Sequence, residues 1–310
     1  MLELTTACDI GRILSTHQRC VACYYPEEGR VGTLEWSQDA KDSLEQLLRE
    51  RDIGFAYLEG GEALLHSQFW EIADFFKDSG VKTVLLTHGL TMSPELARQI
   101  IAHNIKGVQM SINYLPQFPS RLTQEIRMGS DGRVLDAIRI LDEARQGYDL
   151  RIGICTVITR ENLPYIAKMG ETLQQIGVNY FKPQPYHTSQ PGRLKLRPSD
   201  VQSLSEQLRQ LAALQTDKFH IPSDIYLKTL ANPGLYGSAQ TANCPVPAGL
   251  ICVSNDWIVR PCQGDLAWND PGMSATISDF SRIPSGNYQC RYLNTNCVSM
   301  WDMANTRWLE

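Results

Sequence analysis

Tyr57-Leu58-Glu59-Gly60-Gly61-Glu62 is the stretch on which the reading of this chain turns. An apolar run over 54–58 predicts a strand, and the two glycines that follow let the backbone approach a ligand closely. Glu62 can accept hydrogen bonds from an ammonium group. A lone Gly-Gly-Glu is a common turn, so its weight comes from its surroundings. Outward from it, runs near 2–6, 82–87, 106–113, 150–159 and 178–186 predict further strands. Amphipathic stretches near 38–50, 67–79, 93–103, 132–147 and 162–176 predict the helices between them. Ser93-Pro94 opens one helix as cap and first-turn proline, while Gly80 and Gly177 close others. Regular alternation of strand and helix implies an α/β fold with a parallel sheet and right-handed crossovers. Six strands suit a partial (β/α)6 barrel of the TIM type better than a closed eight-stranded one.

The nine cysteines segregate. Cys8, Cys20 and Cys23 lie at the start, Cys244, Cys252, Cys262, Cys290 and Cys297 at the end, and Cys155 stands between. Such clustering in a chain without a secretory signal points to metal or redox chemistry rather than to disulfides. Three thiolates can hold a [4Fe–4S] cluster with one iron open to a ligand, since full ligation takes four. The same Cys-x-x-Cys plus one cysteine is equally a partial zinc site. Two strands also carry polar residues at period two: Gln109, Ser111 and Asn113, then Tyr180, Lys182, Gln184 and Tyr186. Buried parallel strands usually read apolar on both faces. Polar residues near strand C-termini therefore suggest a ligand site at that end of the barrel.

At 310 residues, with 43% hydrophobic and 20% charged, the chain can bury a real core in one large domain or one large and one small. A net charge of −5 with no Lys/Arg run argues against a nucleic-acid groove. No signal peptide and no apolar run of about 20 residues lead to the expectation of a cytoplasmic protein without a membrane partner. The domain reading is a barrel over 1–190, a helical connector over 191–235 with its helix near 199–214, and a cysteine-rich module over 236–310. Within the last, a hairpin is expected at 250–254 and 258–261, and a short helix at the terminus.

The triad Cys8, Cys20 and Cys23 behind strand one, followed by Gly60-Gly61-Glu62 after strand two, resembles the radical S-adenosylmethionine (radical SAM) superfamily. The resemblance implies that the triad ligates a [4Fe–4S] cluster and that Gly60, Gly61 and Glu62 hold the methionyl amine of SAM. Thr87-His88-Gly89 resembles a third-strand Thr-Asn-Gly with His88 in place of Asn. Ser111 and Asn113 match fourth-strand positions that contact the ribose and carboxylate of SAM, and Lys182 and Gln184 join the SAM-facing set. The spacing here is C-x11-C-x2-C instead of the common C-x3-C-x2-C, and Ala22 stands where an aromatic is usual. Adenine contact is accordingly expected from Tyr24 or Tyr25. The implied chemistry is reductive cleavage of SAM to a 5′-deoxyadenosyl radical that takes hydrogen from an unactivated C–H bond.

The tail resembles the twitch half of a SPASM domain, which implies Cys244, Cys262, Cys290 and Cys297 as ligands of an auxiliary [4Fe–4S] cluster. Trp257 stands where that pattern has glycine, and a structural zinc site is the other reading. Cys252 is left over. It is either a buried structural thiol or, as in twitch-type epimerases of the kind found in neomycin biosynthesis, the hydrogen-atom donor; Cys155 is the rival donor. With the barrel starting at residue 2, no N-terminal peptide-recognition domain is expected. The first reading is therefore an epimerase of a small polar metabolite such as an aminoglycoside, served by an electron donor such as flavodoxin. An aminocyclitol dehydrogenase and a peptide epimerase or crosslinking enzyme are the alternatives, and a zinc scaffold the distant one.

Overall fold

The computed structural model describes residues 1–9, 32–118, 131–186, 192, 194–233, 240–244, 249–262, 274–283, 288–293 and 309, with the backbone alone at 131, 240–244, 282 and 288–293. Six parallel strands alternate with helices: β1 (Leu2–Thr5), α1 (Gln38–Glu50), β2 (Phe55–Gly60), α2 (Phe69–Asp78), β3 (Lys82–Thr87), α3 (Pro94–Ala102), β4 (Ile105–Ser111), α4 (Asp131–Ala144), β5 (Arg151–Ile158), α5 (Ile166–Gln175) and β6 (Tyr180–Pro185). They run in sequence order across the sheet, each parallel to the next, as helical crossovers between neighbouring strands produce. The expected α/β partial barrel is the observed fold.

Local chemistry explains the helix limits. The Ser37 hydroxyl accepts from the Ala40 N–H at 3.3 Å and opens α1, which buries Ala40, Leu44 and Leu47. The Ser93 hydroxyl does the same for Leu96 at 3.1 Å, with Pro94 in the first turn of α3. Gly80 and Gly177 follow α2 and α5 at φ of 74° and 86°, where a side chain would be strained. Leu58, Leu85, Val108, Met110, Ile152, Ile154 and Phe181 face the helices in one continuous core. Each fully buried aliphatic side chain contributes about 1.5–3 kcal/mol, so this layer is a large stabilising term for the barrel.

The inner face is different at its two ends. At the N-terminal end, Tyr57, Val84 and Tyr180 pack with Leu250, Cys252 and Leu309 into a second apolar cluster that plugs the barrel. Toward the C-terminal end the inner face turns polar, with Glu59 and Lys182 buried and Gln109 and Gln184 half-buried.

Both edges of the six-stranded sheet are covered. Beyond β1 lie β8 (Cys252–Val253), β9 (Ile258–Arg260) and β10 (Ala275–Thr276), giving the order β10-β9-β8-β1-β2-β3-β4-β5-β6. The hairpin expected near 250–261 is thus part of the barrel sheet, β8 pairing in parallel with β1 through Val253 and Leu2. A separate pair, β7 (Gln240–Cys244) and β11 (Tyr288–Leu293), is antiparallel. The expected terminal helix falls almost wholly outside the described residues.

At the other edge, β6 carries Pro183 and Pro185, and proline is tolerated in edge strands because it has no N–H to give the ladder. The connector covers this edge. After α6 (Val201–Ala212), the chain passes His220 beside Tyr180 in a parallel bridge. It then forms α7 (Asp224–Leu230), unexpected from sequence, whose fully buried Tyr226 donates its hydroxyl to the Pro183 carbonyl at 2.7 Å. Tyr226→Phe would leave that carbonyl without its tyrosine donor. We expect a loss of about 1–2 kcal/mol in equilibrium urea unfolding; an unchanged midpoint would mean that the bond contributes nothing to closing this edge.

Candidate functional site

The exits of β1 and β2 are joined by backbone. Gly61 N–H donates to the Thr5 carbonyl at 2.7 Å and Glu62 N–H to the Ala7 carbonyl at 2.8 Å. Gly60 has φ 155°, and a Cβ on it would lie 2.2 Å from the Thr5 oxygen. A Cβ on Gly61 would lie 2.3 Å from the Ala7 oxygen and 2.6 Å from that of Thr6. Close approach is therefore why glycine stands at both positions, though to neighbouring backbone where the sequence led us to expect a ligand. What approaches closely is the backbone of residues 5–7, which leads directly into Cys8. Cys8 itself is exposed at this mouth.

Glu62, 2% exposed, is held by its own chain and by the exit of β3. Its Oε2 accepts from the Thr87 hydroxyl at 3.0 Å and from the His88 backbone N–H at 2.9 Å, while Oε1 has one long contact from Leu64 N–H at 3.4 Å. The His88 ring also reaches this carboxylate, Nε2 lying 3.2 Å from Oε2 and 3.0 Å from Asp9 Oδ1. Burial holds the Glu62 carboxyl above the usual carboxylate range, partly offset by His88 and by the Thr87 and Leu64 hydrogen bonds. A carboxylate in that state favours an ammonium beside it.

Around the rest of the mouth, Ser111 is exposed and Asn113 half-buried. Asn113 Oδ1 accepts from Val157 N–H at 2.8 Å, so part of its amide ties the exit of β4 to β5. Asn162, fully buried, completes the tie by donating Nδ2 to the carbonyls of Asn113 and Val157 at 2.9 and 2.8 Å. This tie joins residues 49 apart in the chain and is a product of the fold. Gln184 is half-buried near the mouth. Lys182 lies one inward position deeper and in register with Cys155, which is itself in register with Ser111. Burial lowers the Lys182 pKa, opposed by attraction to the Cys155 and Glu59 sites. Asp9 and Glu59 were not singled out in the sequence; Asp9's adjacency to Cys8 was the available signal. Cys20, Cys23, Tyr24 and Tyr25 lie outside the described residues.

The second cysteine group is partly described. Cys252 sits in the apolar plug at the N-terminal end, with Cys262 packed against the same cluster. Burial pushes the Cys252 thiol far up, keeping it protonated. In the small sheet Cys244 pairs Tyr288 and Cys290 pairs Ala242, so these two cysteines are two register positions apart. Cys297 is outside the described residues. Trp257, the departure from glycine, has φ 60° and so keeps the backbone shape that glycine would take. Its ring stacks 6.3 Å from Trp36 and its Nε1 donates to the Glu35 carbonyl at 3.1 Å, contacts that hold the strained residue.

The model of the radical SAM superfamily matches residues 16–173 of the chain. The chain belongs to the radical SAM superfamily. The family uses SAM and a [4Fe–4S] cluster, and the described part of this mouth suits them: an exposed cysteine beside a buried carboxylate whose Oε1 has a single weak donor. Cys8 would hold the cluster and Glu62 the SAM ammonium. Among relatives, the AdoMet-dependent heme synthase of Methanosarcina barkeri is 28% identical over 181 residues, covering 56% of this chain and 46% of that protein. Mycofactocin maturase MftC of Mycolicibacterium smegmatis is 26% identical over 179 residues, covering 56% and 42%. The chain thus matches less than half the length of these relatives. In fold, it superposes on anSMEcpe with bound AdoMet and the Kp18Cys peptide at TM-score 0.62 and 14% identity, over 99% of this chain and 94% of the other. Streptococcus suis SuiB bound to precursor peptide SuiA superposes at 0.59 and 13%, over 97% and 63%.

Because the Glu62 pKa is raised by folding, the folded chain holds that proton more tightly than the unfolded one. Stability from this site therefore falls as pH rises from the unfolded pKa to the raised one. In this radical SAM protein freed of metal and SAM, Glu62→Gln is expected to raise Tm by about 2 °C at mildly alkaline pH. The same change should abolish SAM retention by the reconstituted protein. Scanning fluorimetry and equilibrium dialysis check both; a lowered Tm would show the carboxylate fully compensated by its donors.

Proposed function

We propose that this chain is a peptide-modifying radical SAM enzyme with an auxiliary [4Fe–4S] cluster. The observation that carries the reading is the correspondence over 99% of the chain with anSMEcpe holding AdoMet and a peptide. MftC, a maturase, and SuiB, bound to a precursor peptide, support it from sequence and from fold. When bound, SAM and the reduced cluster would supply a 5′-deoxyadenosyl radical able to take hydrogen from a C–H bond of the substrate. The chain's own part is to orient SAM through Glu62, Ser111 and Asn113 and to keep water from the inner face. Cys244, Cys262, Cys290 and Cys297 would hold the auxiliary cluster, with an electron donor of the flavodoxin class supplying electrons.

A second reading, epimerisation of a small polar metabolite such as an aminoglycoside, draws support from a buried thiol on the inner face. Position favours Cys155 over Cys252 for hydrogen donation. Cys155 is in register with Ser111 near the mouth, whereas Cys252 is in the plug at the opposite end. The donated S–H hydrogen would leave a sulfur radical. One electron from the external donor and one proton would restore the thiol, and the Lys182 ammonium next in register can deliver that proton.

The test is anaerobic turnover in heavy water with separate panels of short peptides and aminoglycosides, following 5′-deoxyadenosine and substrate mass. We expect 5′-deoxyadenosine coupled to a mass change only with peptides, and about eight iron atoms per chain. A one-deuteron gain in an aminoglycoside, lost in Cys155→Ala, would instead establish the second reading. About four iron atoms with stoichiometric zinc would remove the auxiliary cluster.

A further inference from the structure

We propose that His88 is a positioning residue of the SAM site, its Nε2–H shared between Asp9 and Glu62 so that the SAM-holding carboxylate is fixed relative to the segment carrying Cys8. Three strand exits meet in this latch. Asp9 follows Cys8 beyond β1, Glu62 follows the glycines that end β2, and His88 follows Thr87 at the end of β3. The side chains of His88, Asp9 and Glu62 are 8%, 11% and 2% exposed, so water competes little for their bonds.

The ring proton has one place to be. Leu90 N–H donates to Nδ1 at 3.0 Å, which leaves the hydrogen on Nε2 facing two carboxylates, at 3.0 Å and 3.2 Å. With Thr87 and the His88 backbone also on Oε2, that oxygen is committed to the protein, and Oε1 is the one turned over to an ammonium. The reach of the side chain explains histidine at this position. Asparagine could accept from Leu90 N–H but its amide ends near Nδ1, short of Asp9; glutamine carries an N–H to about the position of Nε2. Without the latch Glu62 keeps Thr87 and the His88 backbone N–H, so the fold survives. What is lost is the side-chain tie from Glu62 to the residue next to a cluster ligand.

The proposal rests on membership of the family and on no choice of substrate, so failure of turnover with peptides leaves it untouched. The experiment uses anaerobically reconstituted protein: wild type, H88N, H88Q, D9A and the D9A/H88N double variant. Iron per chain, the SAM dissociation constant by equilibrium dialysis, and the EPR spectrum of the reduced cluster with and without SAM are measured on each. We expect H88N and D9A each to weaken SAM binding about tenfold and to diminish the SAM-induced change in the EPR spectrum, at wild-type iron content. H88Q should stay within about threefold of wild type, and the double variant should be no worse than either single one. Wild-type SAM affinity in H88N, equal damage in H88Q and H88N, or additive losses in the double variant would each overturn the proposal. So would loss of iron in H88N with unchanged SAM affinity per cluster, which would assign the latch to loop folding alone.

Discussion

The backbone splice between the exits of β1 and β2 is the constraint on which the site depends. Two hydrogen bonds, from Gly61 N–H to Thr5 and from Glu62 N–H to Ala7, carry the pairing of β1 with β2 past the end of the regular ladder. They work only because nothing projects from Gly60 or Gly61 into the neighbouring carbonyls. The splice fixes the step from Thr5 to Cys8 against the step from Gly60 to Glu62, so a thiol and a buried carboxylate arrive at one mouth from two strands. On the reading proposed above, these would be the cluster ligand and the acceptor for the SAM amine.

The rest of the barrel is arranged around that mouth by polarity. Leu250, Cys252 and Leu309 seal the N-terminal end against Tyr57, Val84 and Tyr180. Glu59 and Lys182 are kept out of water on the inner face above the seal, where burial already depresses the lysine. Unpaired charges would be very costly there, and the attraction of Lys182 to Glu59 and Cys155 offsets part of that cost. An enclosure that excludes water suits radical chemistry, in which stray hydrogen sources and polar side reactions must be kept away.

The C-terminal segment is less separate than its cysteine content suggests. β8, β9 and β10 extend the barrel sheet from β1, and the Trp257 turn of that hairpin lies on Trp36, just after the segment bridging to β1. Leu250 and Cys252 of the seal thus lie on the same piece of chain as the extra strands, and the packing of that piece against β1 links Cys252 and Cys262 to the first strand. At the opposite edge, His220 and Tyr226 do the corresponding work for a strand that proline had weakened.

What the sequence determined by itself were features set by neighbours in the chain. The six strands and the five helices between them, the cap at Ser93 and the glycine stops follow from period, propensity and local hydrogen bonding. So does the placing of Cys8 and Gly60-Gly61-Glu62 at adjacent strand exits, because each directly follows its strand in the chain. The hairpin was legible too, and Trp257 looked like a departure only because side-chain identity hides a φ of 60°. What tertiary structure decided were the meetings of residues far apart. Asp9 meets His88 across 79 residues, Asn162 joins Asn113 to Val157, and Cys252 is set in the plug instead of at the mouth. α7 gave too short a signal to read, and its purpose appears only where Tyr226 finds the Pro183 carbonyl. Local rules fix which elements form; long-range pairing and desolvation fix which side chains face one another, and no pattern within a single element encodes that.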